Sequence, residues 1–216
     1  MSELDRLIQK RRSIRKYLPD LPPPAWIEEM IACAACAPSP SNSQPVRFFE
    51  ITSVKKKAAL FQAITKSRDD LLLKINEGKI NAETGSPKKL KNLIRAYYRF
   101  SIFMFDAPVL FAVGTVFGVP GFSKKLFDAG LIPEDVRGNT DIDISVGLAL
   151  HGFLLKAQER GLGACILTGP LSFVPNAGEI LGINDCRLVC FVSLGFPNEA
   201  PSRIVKKSVD DIYREI

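Results

Sequence analysis

Hydrophobic and polar positions alternate along this chain with two periods, and the places where the period changes divide it into elements. Residues 4–10 read as a short first helix. Pro22-Pro23-Pro24 sets up a second, over about 25–36, in which Ile27, Met30, Ile31 and Ala34 fall at helical spacing before Pro38 stops it. Residues 46–52, Val-Arg-Phe-Phe-Glu-Ile-Thr, are rich in β-branched and aromatic types and predict a first strand. Residues 55 to about 75 and 87–105 predict two helices separated by a polar stretch around 76–86. The continuous apolar run 109–114 suits a buried strand. Residues 117–133, rich in glycine and proline, predict irregular chain, either a lid or a short-helix excursion over a pocket. Residues 143–160 form the longest buried-looking helix, with Gly161 placed to end it. A short strand then opens into a tight turn over 163–170, and a last strand runs from 187 to 194, ended by Gly195-Phe196-Pro197. Four strands with helices before, between and after them predict an α+β layered domain.

Length and composition narrow the class. At 216 residues and 46% hydrophobic, the chain suits one substantial core, so residues 1–216 read as a single domain. The longest apolar stretch, 102–118, contains Asp106 and Pro108 and falls short of the about 20 residues that span a bilayer. The start, Met1-Ser2-Glu3-Leu4-Asp5, lacks the build of a signal peptide, so no membrane association and a cytoplasmic location are expected. Five cysteines give neither a disulfide scaffold nor paired zinc spacings; Cys33-x-x-Cys36 lies in a small-residue helical run, where free thiols act as small hydrophobes. No metal is expected. The net charge of +6 is concentrated between residues 55 and 99, where twelve Lys/Arg face four Asp/Glu. That segment lacks interleaved aromatics or a nucleic-acid-binding motif, so a solvated basic face that attracts an anionic cosubstrate is expected rather than nucleic acid.

Two short runs carry the candidate chemistry. Arg11, Arg12, Ser13 and Arg15 bring guanidinium groups and a hydroxyl within five residues, a set suited to bidentate phosphate contact. Alone, such a cluster also describes ordinary solvated surface. Pro38 and Pro45 bracket Ser39, Ser41, Asn42, Ser43 and Gln44, giving a held segment dense in donors and acceptors where a plain turn would need few. The lone histidine, His151, is predicted mid-helix and reads as a packed or partly exposed helix residue, so no Ser/His/Asp arrangement is available.

Arg-Arg-Ser-x-Arg, followed after a helix by Ala-Pro-Ser-x-x-Asn-x-Gln-Pro and an aromatic strand, resembles the nitroreductase family of FMN-dependent oxidoreductases. The resemblance continues through Gly147-Leu148-Ala149 to Gly161-Leu162-Gly163, Val192-Ser193-Leu194-Gly195-Phe196-Pro197 and the basic pair Lys206-Lys207, nearly the full length. It implies a central, mostly antiparallel sheet of four to five strands flanked by helices, in a homodimer whose sites lie at the interface. By the same resemblance Arg11, Arg12, Ser13 and Arg15 would hold the phosphate, ribityl chain and pyrimidine edge of FMN. Pro38, Ser39, Asn42 and Gln44 would approach the isoalloxazine, some of them from the partner subunit. Leu167, Thr168 and Gly169 would form the turn against the ring, and Arg203, Lys206 or Lys207 would add a second phosphate contact. No catalytic side chain is implied: NAD(P)H would reduce the flavin and a small-molecule acceptor, a nitroaromatic or quinone, would reoxidise it by ping-pong hydride transfer. Relatives of this fold also carry out dehalogenation, flavin fragmentation or dehydrogenation. Two positions depart from the family pattern. The helix before Val109 offers no clean counterpart, among Arg95, Arg99 and their neighbours, to the Asn and basic residue that family members often place there, and Thr168 stands where some relatives have Glu.

Overall fold

The computed structural model describes residues 1–80, 86–202 and 204–216. Its elements in chain order are α1 (Glu3–Lys10), α2 (Pro24–Ala35), β1 (Val46–Glu50), α3 (Val54–Asn76), α4 (Pro87–Ile102), β2 (Val109–Val116), α5 (Phe122–Asp128), α6 (Thr140–Glu159), β3 (Gly163–Leu167), α7 (Gly169–Phe173), α8 (Ala177–Leu181) and β4 (Cys186–Gly195). Local chemistry fixes several boundaries. Ser2 and Asp5 cap α1 reciprocally, each side chain bonded to the other's backbone N–H at 3.2 and 2.8 Å. Gly161 takes the left-handed conformation, φ 72°, that ends α6.

The four strands form one antiparallel sheet in the order β1-β2-β4-β3, with β1 and β3 at its edges. Alternation along the strands divides the core in two. Val109, Phe111 and Val113 of β2 and Val192 and Leu194 of β4 pack with Met30 of α2 and Phe153 of α6, where Phe48 stacks on Phe153 at a centroid distance of 5.3 Å. Leu110, Ala112 and Phe191 face the other way, onto Leu60 and Ile64 of α3, Met104, and Phe173 of α7. The result is a three-layer α+β domain with the sheet in the middle. Within 117–133, seven residues form α5, so that segment is a short-helix excursion. Among the described residues no helix is long and apolar enough to cross a membrane.

After α1 the chain runs extended along the outer edge of β3. Ser13 bridges to Ala164 in parallel and the Ile14 N–H donates to the Ala164 carbonyl at 3.1 Å. Beyond β4 the chain turns back along the same segment: Leu18 N–H donates to Phe196 O at 2.9 Å and Asn198 N–H to Lys16 O at 2.9 Å. Both ends of the sequence therefore meet at one sheet edge.

Candidate functional site

A cavity of about 420 Å³ opens where those ends meet. Arg11 and Ser13 line it from the N-terminal segment, Lys206 from the C-terminal segment and His151 from α6, above an apolar floor that includes Ile166 of β3. Ile166 is 38% exposed, unusual for a large apolar residue in a sheet, so a flat hydrophobic surface lies beside a cationic rim. The donor set of guanidinium, hydroxyl and ammonium groups fits a phosphate, and the apolar floor fits the side of a planar ring.

Three backbone groups beside the cavity are fixed by long-range contacts. The Glu199 carboxylate accepts from the N–H groups of Arg15, at 2.5 Å, and Lys16, at 3.2 Å. The Tyr17 hydroxyl bonds to the Ser193 Oγ at 2.8 Å and donates to the Ile14 carbonyl. Burial holds the Tyr17 hydroxyl well above the ordinary tyrosine range, a shift that its bond to Ser193 only partly offsets. Burial also raises the neighbouring Cys165 thiol, against the pull of Arg15 and Arg11, so this thiol is inert behind the floor.

Arg12 turns away. Its Nη1 donates to the carbonyls of Gln9 and Arg11 at 2.6 and 2.7 Å, so it braces the end of α1 and does not line the cavity. Arg15 is exposed, its guanidinium 3.5 Å from the Ser13 carbonyl. Leu167 is buried at the end of β3, and Thr168 and Gly169 open α7. A Cβ added at Gly169 would lie 3.3 Å from the Ser101 Oγ and 3.5 Å from the Tyr97 ring. Tyr97 and Ser101 of α4 thus stand beside the turn. Lys207 is exposed, and Arg203 lies outside the described residues.

The second run forms a separate site in the same chain. Pro38, Ser39 and Gln44 line a small cavity of about 110 Å³ with Arg47 and Ser145, whose buried hydroxyl has no partner. Ser41, Asn42 and Gln44 all have positive φ, 52°, 51° and 45°, although none is glycine. Such conformations cost of order 1 kcal/mol or more each and persist only where the surroundings impose them. Here Gln44 N–H donates to Ser39 Oγ at 2.9 Å and Gln44 Nε2 to Asn42 Oδ1 at 3.2 Å, while Arg47 Nη1 donates to the Gln44 carbonyl at 2.9 Å. This backbone is strained into one shape, which an ordinary turn does not require. The arginine run thus meets the first cavity, through Arg11 and Ser13, and the amide run the second, through Ser39 and Gln44.

A larger cavity of about 550 Å³ lies between α5 and the β2–β4 ends, lined by Phe117 but by none of the predicted site residues. Its Lys124 pairs with Asp128 and its Arg187 with Asp143.

The profile described as the Nitroreductase family matches residues 8–196. The chain belongs to that family. A crystal structure of a BluB-like flavoprotein from Clostridium difficile 630 superposes with a TM-score of 0.84 at 27% identity, over 100% of both chains. The 4-nitrobenzoate reductase of Nocardioides sp. (strain LMS-CY) is 26% identical over 199 residues, 89% of this chain and 79% of its own length. The 5,6-dimethylbenzimidazole synthase of Rhodospirillum rubrum (strain ATCC 11170) is 28% identical over 167 residues, 74% of this chain and 66% of its own. Nitroreductase-family membership accounts for the sheet, the long α6 and the order of the motifs. Glu199 and Tyr97 had no place in the sequence-based expectations, whereas His151 is the exposed mid-helix residue expected and also lines the cavity. His151 had a signal, since Gly147, His151 and Leu154 fall at helical spacing on one side of α6. Glu199 had none, because its partners lie 184 and 183 residues away.

Proposed function

We propose that this nitroreductase-family protein is a homodimeric FMN-dependent oxidoreductase that uses NAD(P)H to reduce small electron-poor acceptors such as nitroaromatics or quinones. The observation that carries the reading is the cavity at the β3 edge: cationic groups from both ends of the chain converge above an exposed apolar floor, next to the Thr168-Gly169 turn. Arg11, Ser13 and Lys206 would hold the phosphate, Ile166 and the turn would support the ring, and Glu199 and Tyr17 would keep the N-terminal segment in place. FMN, when bound, supplies the electron chemistry. The chain's own part is to bind, orient and shield.

The separation of the two runs supports the dimer. Ser39 and Gln44, with Asn42 bonded to Gln44, are shaped for recognition, yet Ser39 and Gln44 line a different cavity from Arg11, so a second copy would have to bring them to the flavin. The surface offers the means: α6 exposes Ile144 and Leu148 beside His151, and the C-terminal segment exposes Ile204, Val205, Val209, Ile212 and Tyr213. The likeness to the BluB-like flavoprotein and to the dimethylbenzimidazole synthase favours a second reading, in which the flavin stays and the reaction is a fragmentation or another flavin chemistry.

The visible spectrum of the purified protein, before and after added FMN, tests the cofactor. A colourless protein that takes up no flavin sinks both readings. Oxidation of NADH and NADPH in the presence of a nitroaromatic, a quinone and a halophenol separates them, and light scattering on a sizing column checks the dimer.

A further inference from the structure

Helix α4 carries more apolar surface than the core covers. Ile94, Tyr98 and Ile102 pack onto the cluster that holds Leu60, Ile64 and Phe173. Tyr98 is pinned there by a hydroxyl bond to Thr65 at 3.0 Å, by an edge contact with the Phe173 ring, and by the Arg68 guanidinium 4.2 Å from its ring centre. Leu93, Tyr97 and Phe100 follow one another at i, i+4 and i+7 on the neighbouring face, and they are 53%, 53% and 59% exposed. This stripe meets the Thr168-Gly169 turn. With no side chain on Gly169, the Tyr97 Cδ1 lies 3.5 Å from where a Cβ would stand, and the Ser101 Oγ, which donates to the Tyr97 carbonyl at 2.8 Å, lies 3.3 Å from the same point. The tyrosine ring is therefore seated on the turn by one edge while much of it stays open. Between Pro87 and Ile102 the helix carries Lys88, Lys89, Lys91, Arg95 and Arg99 and no acid.

We propose that Leu93, Tyr97 and Phe100 bind the electron acceptor, and that this acceptor is a planar aromatic bearing a negative charge, of the aromatic carboxylate class. The proposal rests on the Thr168-Gly169 turn supporting the flavin ring. An acceptor laid beside that turn is covered by two aromatic side chains and a leucine, in the offset or edge-on arrangements that aromatic pairs favour. The five cations make the potential around the stripe positive, which draws an anionic ring in preference to a neutral one. A second copy of the chain is the poorer occupant. A two-fold contact centred on the stripe would bring both sets of α4 cations together with no acid of α4 between them, and like charges so placed oppose association.

Calorimetric titration of the oxidised, FMN-loaded protein with naphthoate and with its neutral amide, naphthamide, tests this without turnover. The wild type is compared with Tyr97→Ala, Tyr97→Phe and Phe100→Ala, and FMN affinity and oligomeric state are measured for each. The expected result is naphthoate binding weakened about two- to tenfold in both alanine variants, the range an aromatic pair supplies, and kept in Tyr97→Phe. Phe100→Ala, whose side chain is remote from the turn's glycine, holds FMN as the wild type does. Naphthoate binds more tightly than naphthamide, and the gap narrows as salt is added. Protein that holds FMN but binds naphthoate equally well in all four forms overturns the proposal and leaves the flavin reading intact. So does a weakened dimer in the alanine variants with naphthoate affinity unchanged, which would assign the stripe to a second copy. Naphthamide binding as tightly as naphthoate overturns the anionic class. A wild-type protein that takes up no FMN overturns the proposal and the flavin reading together.

Discussion

Gly163→Ala is the perturbation that best isolates how the N-terminal segment is seated. Gly163 begins β3 under Ile14, and a Cβ there would stand 2.5 Å from Ile14 Cγ1, 2.7 Å from its Cβ and 2.9 Å from its Cγ2. Ile14 is buried, with 7% of its surface exposed, and its own N–H is tied to Ala164, so it has no free direction in which to yield. Overpacking of this kind costs about 1–3 kcal/mol. The gain from replacing a glycine whose φ suits alanine returns about 0.4–1 kcal/mol through the unfolded chain. The net expectation is a loss of about 1–2 kcal/mol, which at this chain length lowers Tm by roughly 2–8 °C. Because Arg11 and Ser13 sit on the displaced segment, FMN retention should fall in the same variant even well below its melting temperature. Calorimetry together with FMN titration reads both effects. A Gly163→Ala protein that melts at or above the wild-type temperature and keeps wild-type flavin affinity would refute the seating of Ile14 on Gly163.

Four further outcomes are expected. Arg11→Ala should weaken FMN binding with little change in Tm, whereas Arg12→Ala, which removes the brace on Gln9 and Arg11, should cost about 0.5–1.5 kcal/mol of stability with a smaller effect on binding; paired melts and titrations separate them. Glu199→Ala should hand the exposed Arg15 and Lys16 amides to water, lower stability by about 0.5–1.5 kcal/mol and loosen the same segment, read as faster amide exchange there. On the alkaline side, burial pushes the Cys190 thiol up to about 12 and raises the Tyr17 hydroxyl, so the unfolded chain loses these protons first. Stability should then decline as pH climbs past about 8.5, more steeply past about 10, and Tyr17→Phe should flatten the second part. With a thiol reagent under native conditions, exposed Cys36 should react first and the buried Cys165, Cys186 and Cys190 only on unfolding.

The elements were readable where local preference and burial agree. The run 109–114 is apolar at every position because β2 is covered on both faces, and the helical spacing of Ile27, Met30 and Ala34 survives because α2 buries one side on α6. The segment 117–133 was harder, since its glycines and prolines mark turns on both sides of α5 and hide a seven-residue helix. The sheet order was not readable at all: β4 enters between β2 and β3, a pairing decided by long-range packing. The same holds for Glu199, brought to Arg15 and Lys16 by the return of the chain after β4, and for Tyr17, whose partner Ser193 lies on β4.

The two runs that carry the chemistry show the sharper limit. By resemblance the two runs belong to one site, yet Arg11 and Ser13 line a cavity at the β3 edge while Ser39 and Gln44 line another beside β1, at the opposite edge of the sheet. Both cavities flank α6, Ser145 and Ala149 lining one and Gly147, His151 and Leu154 the other. On the proposed reading only a second copy joins the halves, so dissociation removes the groups on the isoalloxazine while leaving the phosphate cavity whole. Flavin affinity should then depend on protein concentration, weakening on dilution as the dimer dissociates, whereas inorganic phosphate, which needs only Arg11, Ser13 and Lys206, should compete equally well at every concentration. Flavin affinity that stays constant across the monomer–dimer transition would show that one chain binds alone, and the strained backbone at Ser41, Asn42 and Gln44 would then need another cause.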